Sequence, residues 1–177
     1  FIHNGCAQAT EKPQSSANNE ILVAYFSHTG NTREIANQIH DKVGGEIFEI
    51  KTVEPYVDNY HKLLEQAREE LDADIRPELQ SRVEDIDAYD VVFVGYPIWF
   101  GTYPMAVKTF LATHDLTGKT IVPFCTHEGS RLGRSVSDLE TMCPDSNILE
   151  GFEARGGMAK SARDDVSVWL GEIEITD

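Results

Sequence analysis

The strongest limit on the fold is a series of short apolar runs, each separated from the next by an amphipathic stretch. ILVAYF (21–26), DVVFVGYP (90–97) and KTIVPFCT (119–126) are nearly unbroken, EIFEI (46–50) alternates, and NILEGF (147–152) is shorter. Each reads as a strand. Between them, apolar residues recur at helical spacing: Ile35, Ile39 and Val43, closed by Gly44–Gly45, then Tyr60, Leu63, Leu64, Ala67 and Leu71. Val107, Phe110 and Leu111 follow Pro104, which suits a first helical position. Leu132, Val136 and Leu139 mark a fourth helix, and Val166, Trp169, Leu170 and Ile173 a fifth. Strands apolar on both faces are buried on both faces, which requires a parallel sheet covered by helices above and below. The expected fold is α/β: a three-layer, doubly wound, five-stranded parallel sheet. In such sheets ligands bind beyond the carboxyl ends of the strands, where the strand order reverses.

A chain of 177 residues with 41% hydrophobic content is long enough for one domain with a sizeable core. That domain is placed at residues 20–177. Residues 1–19, rich in Ser, Asn, Gln and Ala, read as a disordered leader or linker. Gly5–Cys6 and Ala7–Gln8–Ala9 resemble the ends of bacterial export signals, without the apolar segment that normally precedes them. A cytoplasmic location is therefore expected, with export, periplasmic or lipid-anchored at Cys6, as the alternative. No run of about eighteen apolar residues occurs, so no membrane span is expected. The net charge of −15 disfavours nucleic acid and fits either steering of a basic partner or simple solvation. Cys6, Cys125 and Cys143 lack metal-site spacing and the histidines are scattered, so no metal site is expected. Cys125 lies in an apolar run and reads as a buried, inert thiol. In an exported protein it could pair with Cys143.

Three turns carry the chemistry. SHTGNT (27–32) leaves the first strand and enters the first helix. The hydroxyls of Ser27, Thr29 and Thr32 surround Gly30, while Asn31 and Thr32 open a helix whose first amides lack partners. The arrangement suits a phosphate, although Ser, Thr and Asn are also ordinary helix caps. Neither the lysine-bearing triphosphate loop nor the G-x-G-x-x-G dinucleotide turn is present, which points to a monophosphate ester. GYPIWFGTYP (95–104) follows the third strand and gathers Tyr96, Trp99, Phe100 and Tyr103. A flat aromatic ligand accounts for such a loop, with Trp99 as the stacking residue, and burial in the core accounts equally for Phe100 and Tyr103. FCTHEGSRLGRS (124–135) follows the fourth strand. Its Thr126, Gly129, Ser130 and Gly133 let the backbone approach a ligand, and Ser130 is a candidate N-cap. No serine or cysteine nucleophile has a base and an orienter, so no catalytic side chain is assigned.

With these turns in place, residues 20–177 resemble the flavodoxin-like family. The resemblance implies a strand order of 2-1-3-4-5 and flavin mononucleotide (FMN) as cofactor. It assigns Ser27, His28, Thr29, Gly30, Asn31 and Thr32 to the phosphate turn. Pro97, Ile98, Trp99, Phe100 and Gly101 would border the isoalloxazine ring, and Thr126, His127, Glu128, Gly129 and Ser130 its far side or pyrimidine edge. An inward-pointing Glu128 would disfavour negative charge on a reduced flavin. EPYVDNY (54–60) is a candidate flap, with Tyr56 nearest the ring.

Three functions follow from the resemblance. The first is an electron carrier between redox proteins, with basic partners steered by the acidic surface. The second is an NAD(P)H-dependent FMN oxidoreductase or quinone reductase acting on a small-molecule acceptor. The third is a scaffold without cofactor. The carrier is ranked first. Either a monomer or a homodimer is compatible with these residues.

Overall fold

The apolar runs pair into one parallel sheet in a computed structural model, which describes residues 20–173 and Ile175. The leader, with Gly5–Cys6 and Ala7–Ala9, lies outside the described residues. The strands are β1 (Ile21–Tyr25), β2 (Glu46–Glu49), β3 (Val91–Pro97), β4 (Thr120–His127), β5 (Asn147–Ile148) and β6 (Phe152–Arg155). The helices are α1 (Asn31–Val43), α2 (Tyr60–Asp72), α3 (Met105–Thr113), α4 (Ser135–Met142) and α5 (Arg163–Glu172). The order is β2-β1-β3-β4-β5, as expected for a doubly wound sheet, and every strand pairing is parallel.

The expected fifth strand, 147–152, is two strands instead. β5 pairs Asn147 and Ile148 with Thr120 and Ile121, and β6 pairs Phe152–Arg155 with Phe124–His127. Gly151 sits between them, where a Cβ would lie 3.1 Å from the carbonyl oxygen and ring of Pro123. Pro123 has no N–H to donate, so the strand breaks where its neighbour offers no ladder. Pro104 differs too: it precedes α3 with an extended ψ of 156° rather than occupying the first helical position.

Side-chain alternation along each strand divides the core. Leu22, Val92, Val94 and Ile121 pack with Leu63 of α2, Val107 and Phe110 of α3, and Leu139 of α4. Val23, Val91, Phe93 and Val122 pack on the other face with Ile35 and Ile39 of α1 and Val166 and Trp169 of α5. Val136 is only partly buried, and Leu132 lies in the turn before α4. Cys125 and Cys143 are both buried free thiols, so the pairing conceivable for an exported protein is not formed. Among the described residues no helix is long and apolar enough to cross a membrane.

On β3, Gly95 is paired with Phe124 of β4, whose ring fills the space a side chain at Gly95 would need. A Cβ at Gly95 would lie 2.1 Å from the Phe124 ring. Gly95→Ala is expected to destabilise the fold by about 1–3 kcal/mol through overpacking in urea denaturation. Adding Phe124→Leu should give a double mutant less destabilised than the sum of the two single changes.

Burial raises the phenolic pKa of Tyr96, Tyr103 and Tyr56 above the ordinary 10.0, and that of Tyr89 to about 12. Burial also raises the Cys125 thiol from 9.0 to about 12. The unfolded chain therefore releases these protons first, and unfolding is favoured as pH rises. Stability measured by denaturant titration should hold up to about pH 9 and fall steadily from there to pH 12.

Candidate functional site

Because β1 is flanked by β2 on one side and β3 on the other, the turns leaving β1, β3 and β4 meet at the carboxyl edge of the sheet. Backbone bonds fix their roots: Phe26 N donates to Gly95 O at 2.9 Å, and Ile98 N to Thr126 O at 2.8 Å. Between the turns lies a cleft of about 770 Å³.

The first turn is built around Gly30, whose φ of 93° puts it in the left-handed region immediately before α1. Ser27 Oγ accepts the Gly30 amide at 3.1 Å. The amides of Asn31, Thr32 and Arg33 then occupy the first turn of α1, where no carbonyl lies one turn back to receive them. Thr29 and Asn31 face the cleft, as does His28. Thr32 is buried, and its hydroxyl bonds that of Thr126 at 2.8 Å, tying the first turn to the third. Arg33 does not enter the cleft: its guanidinium pairs with Glu49, which also receives Lys51 at 3.0 Å.

The second turn contains a two-residue hairpin. Trp99 and Thr102 exchange backbone bonds of 2.8 and 3.1 Å around Phe100 and Gly101. Their φ values of 50° and 81° are the paired positive angles of a tight hairpin loop, unusual for a phenylalanine. Arg134, just before α4, donates its amide to Gly101 O at 2.8 Å, and Thr102 Oγ1 donates to Asp138 at 2.5 Å. Gly101 therefore stabilises the turn without lining the cleft. Pro97, Ile98, Trp99 and Phe100 do line it. Trp99 is gripped edge-on by Phe26 and Tyr56, with ring centroids at 5.6 and 5.1 Å. Arg68 of α2 covers the Phe100 ring at 4.4 Å, a cation–π contact that joins helix to turn.

The third turn places Thr126, His127, Glu128, Gly129 and Ser130 on the opposite wall. Gly129 adopts φ 145° and Gly133 φ 55°. At Gly133 a Cβ would lie 2.3 Å from Gly101 O, so this glycine lets the second and third turns touch. The His127 Nδ1 accepts the Gly129 amide at 2.9 Å, and Nε2 bonds the Glu153 carboxylate. The glutamate is thus the orienter that the linear sequence does not reveal. Ser130 is not the cap of α4, which begins at Ser135, because the turn runs on through Arg131 at φ 53° and Gly133.

The cleft also takes in residues outside the three expected turns. Asp58 and Tyr60, Leu63, Leu64 and Ala67 of α2 form a further wall, and Gly156 also lines the cleft. A Cβ on Gly156 would sit 2.7 Å from both Asn31 Nδ2 and Glu128 Oε1. The α2 residues carried a signal, the apolar stripe, but a stripe does not say which part meets the core. Leu63 and Ala67 are buried, while Tyr60 is 66% exposed. Tyr56 is not a flap over the cleft. It is buried behind Trp99, and its hydroxyl donates to the buried Glu70 carboxylate at 2.6 Å.

The family model described as Flavodoxin matches residues 20–173. A protein from Bacteroides eggerthii DSM 20697, provisionally described as a flavoprotein, is 36% identical, with 89% of this chain and 99% of that one covered and a TM-score of 0.79. A similarly described protein from Bacteroides uniformis ATCC 8492 is 30% identical over 86% of this chain and 98% of its own, with a TM-score of 0.78. A flavoprotein from Lactobacillus acidophilus NCFM, solved in complex with FMN, is 22% identical over 84% and 99%, with a TM-score of 0.67, a likeness of fold. Comparison with curated proteins gave no significant match.

Tyr56→Phe removes one of two donors to Glu70, leaving Gln66 Nε2 at 3.1 Å. A buried carboxylate deprived of a partner should cost about 1–3 kcal/mol in urea denaturation. Tyr60→Phe, at an exposed hydroxyl, should leave stability within about 0.5 kcal/mol of the parent.

Proposed function

The chain belongs to the flavodoxin family, and we propose that it binds FMN in the cleft and carries electrons between redox partners. The observation that supports this most directly is the common opening of the α1 amino end and Trp99 onto one cleft. The residues suit the group. The unpaired amides of Asn31, Thr32 and Arg33 and the hydroxyl of Thr29 present donors to a phosphate monoester, and the helix dipole favours its charge. Ser27 supports that cradle through Gly30. A cationic side chain is unnecessary there, and Arg33 is engaged by Glu49.

Bound FMN supplies the redox chemistry, accepting and returning one or two electrons. The protein's part is to hold the ring and control its surroundings. Pro97, Ile98 and Trp99 offer an apolar wall from which water is displaced, and the edge contacts of Phe26 and Tyr56 keep the indole from swinging away. The third turn lets its backbone pass close to the ring at Gly129, a position where a side chain would be strained. Glu128 adds negative potential at that wall and opposes charge on a reduced ring. The net charge of −15 favours a basic redox partner.

One observation favours the reductase alternative: the apolar wall of α2 extends the cleft beyond the three turns. Such a wall would accommodate a nicotinamide or a small acceptor beside the ring.

Titrating the apo-protein with FMN and with riboflavin, read by flavin fluorescence quenching, tests the binding reading. Charge-assisted bonds to the phosphate should make FMN bind at least about tenfold tighter than riboflavin. Equal binding of the two would overturn the phosphate assignment, and no binding of either would overturn the flavin reading. Reduced nicotinamide added to the loaded protein should leave the flavin absorbance unbleached without a second protein. Rapid bleaching would replace the carrier with the reductase.

A further inference from the structure

We propose that His127 is a pH-responsive positioning residue for the third turn: its neutral imidazole holds the Gly129 amide in place, and a second proton on the ring releases it. The ring is held at both ends. Its Nδ1 accepts from Gly129 N at 2.9 Å, and its Nε2 donates to Glu153 on β6. A ring nitrogen that accepts an N–H carries no proton of its own, so the bond to Gly129 defines the neutral tautomer. His127 is buried, yet it lies on the cleft wall together with Glu128 and Gly129. Only a glycine adopts φ 145° comfortably at position 129, so the held segment is short and conformationally free once released.

Adding a proton to Nδ1 sets two donors against each other, Nδ1–H and the Gly129 N–H. The Nε2 end is not disturbed, because Glu153 accepts from either form. Gly129 therefore lets go while the ring stays. The charges around it are mixed. Glu153 and the adjoining Glu128 favour the added proton, as does Asp58 across the cleft. Arg131, 3.7 Å from Glu153, and Arg155, paired with His127 in the β4–β6 register, oppose it. His28 on the facing turn adds a second titratable ring. Histidine side chains in general change charge between about pH 5 and 8, which sets the window to be searched. The consequence for the flavin rests on the FMN reading above: once Gly129 is released, the third turn no longer holds one fixed shape against the ring.

His127→Asn separates positioning from titration, since its side-chain oxygen can accept the Gly129 amide near the Nδ1 position but cannot titrate. His127→Ala removes both. In the apo-protein, NMR should show the Gly129 amide resonance moving between pH 8 and pH 5 with the same midpoint as the His127 ring, and staying still in His127→Asn. A Gly129 resonance that ignores His127, or that moves equally in His127→Asn, overturns the proposal. The FMN dissociation constant of the parent divided by that of His127→Asn should rise about fivefold between pH 8 and pH 5, the equivalent of the one hydrogen bond that holds the turn. Taking the ratio cancels the titration of the phosphate itself. His127→Ala should bind weakly at both pH values, with thermal melting to establish that it folds. A flat ratio with intact FMN binding overturns the flavin consequence alone. Failure of every variant to bind FMN overturns the functional reading, and the Gly129 resonance then still decides the clamp.

Discussion

Everything at the carboxyl edge depends on β1 pairing with β2 on one side and β3 on the other. Chain order reverses across that strand. Right-handed crossovers then send α1 to one face of the sheet and α3 to the other, and the turns feeding them diverge. A parallel sheet cannot close this gap with its own backbone, because the strands end there. The cleft is thus a consequence of topology before any side chain is considered, and the three turns decorate an opening that already exists.

What the turns contribute is mutual support. Thr32 and Thr126 share a buried hydroxyl bond, Gly133 gives way to Gly101, and Arg134 and Asp138 hold the Phe100–Gly101 hairpin. Each contact joins segments far apart in the chain. The left-handed Phe100 persists because α4 holds its hairpin from below and Arg68 covers its ring from above. Behind the cleft, Tyr56 and Glu70 brace Trp99 from the α2 side. Several independent elements thus hold the Trp99 wall of the cleft in one position.

The parts of the site written in local sequence were readable there. SHTGNT carries its own geometry: a glycine, hydroxyls and a helix start within six residues. The aromatic run at 96–103 and the glycines at 129 and 133 likewise announce turns. Other parts had no local mark. The stripe on α2 said that Leu63 and Leu64 are apolar, not that Tyr60, Leu63 and Leu64 border a cleft, Leu63 while also meeting the core. Tyr56 sits in a segment resembling a flap, and only its buried partner, Glu70, fixes it as a brace. The break between β5 and β6 followed from Pro123 on the neighbouring strand, which no reading of NILEGF alone contains.

By itself the sequence determined the fold class, the strand order through the family resemblance, and the three turns, because hydrophobic period, helix starts and glycine positions act over a few residues. The tertiary structure alone decided the partnerships: His127 with Glu153, Trp99 with Tyr56 and Phe26, Gly156 with Asn31 and Glu128. The physical reason is range. A hydrogen bond or a ring contact demands placement to a few tenths of an ångström. In this chain, strand register and helix packing bring side chains from distant segments within that reach.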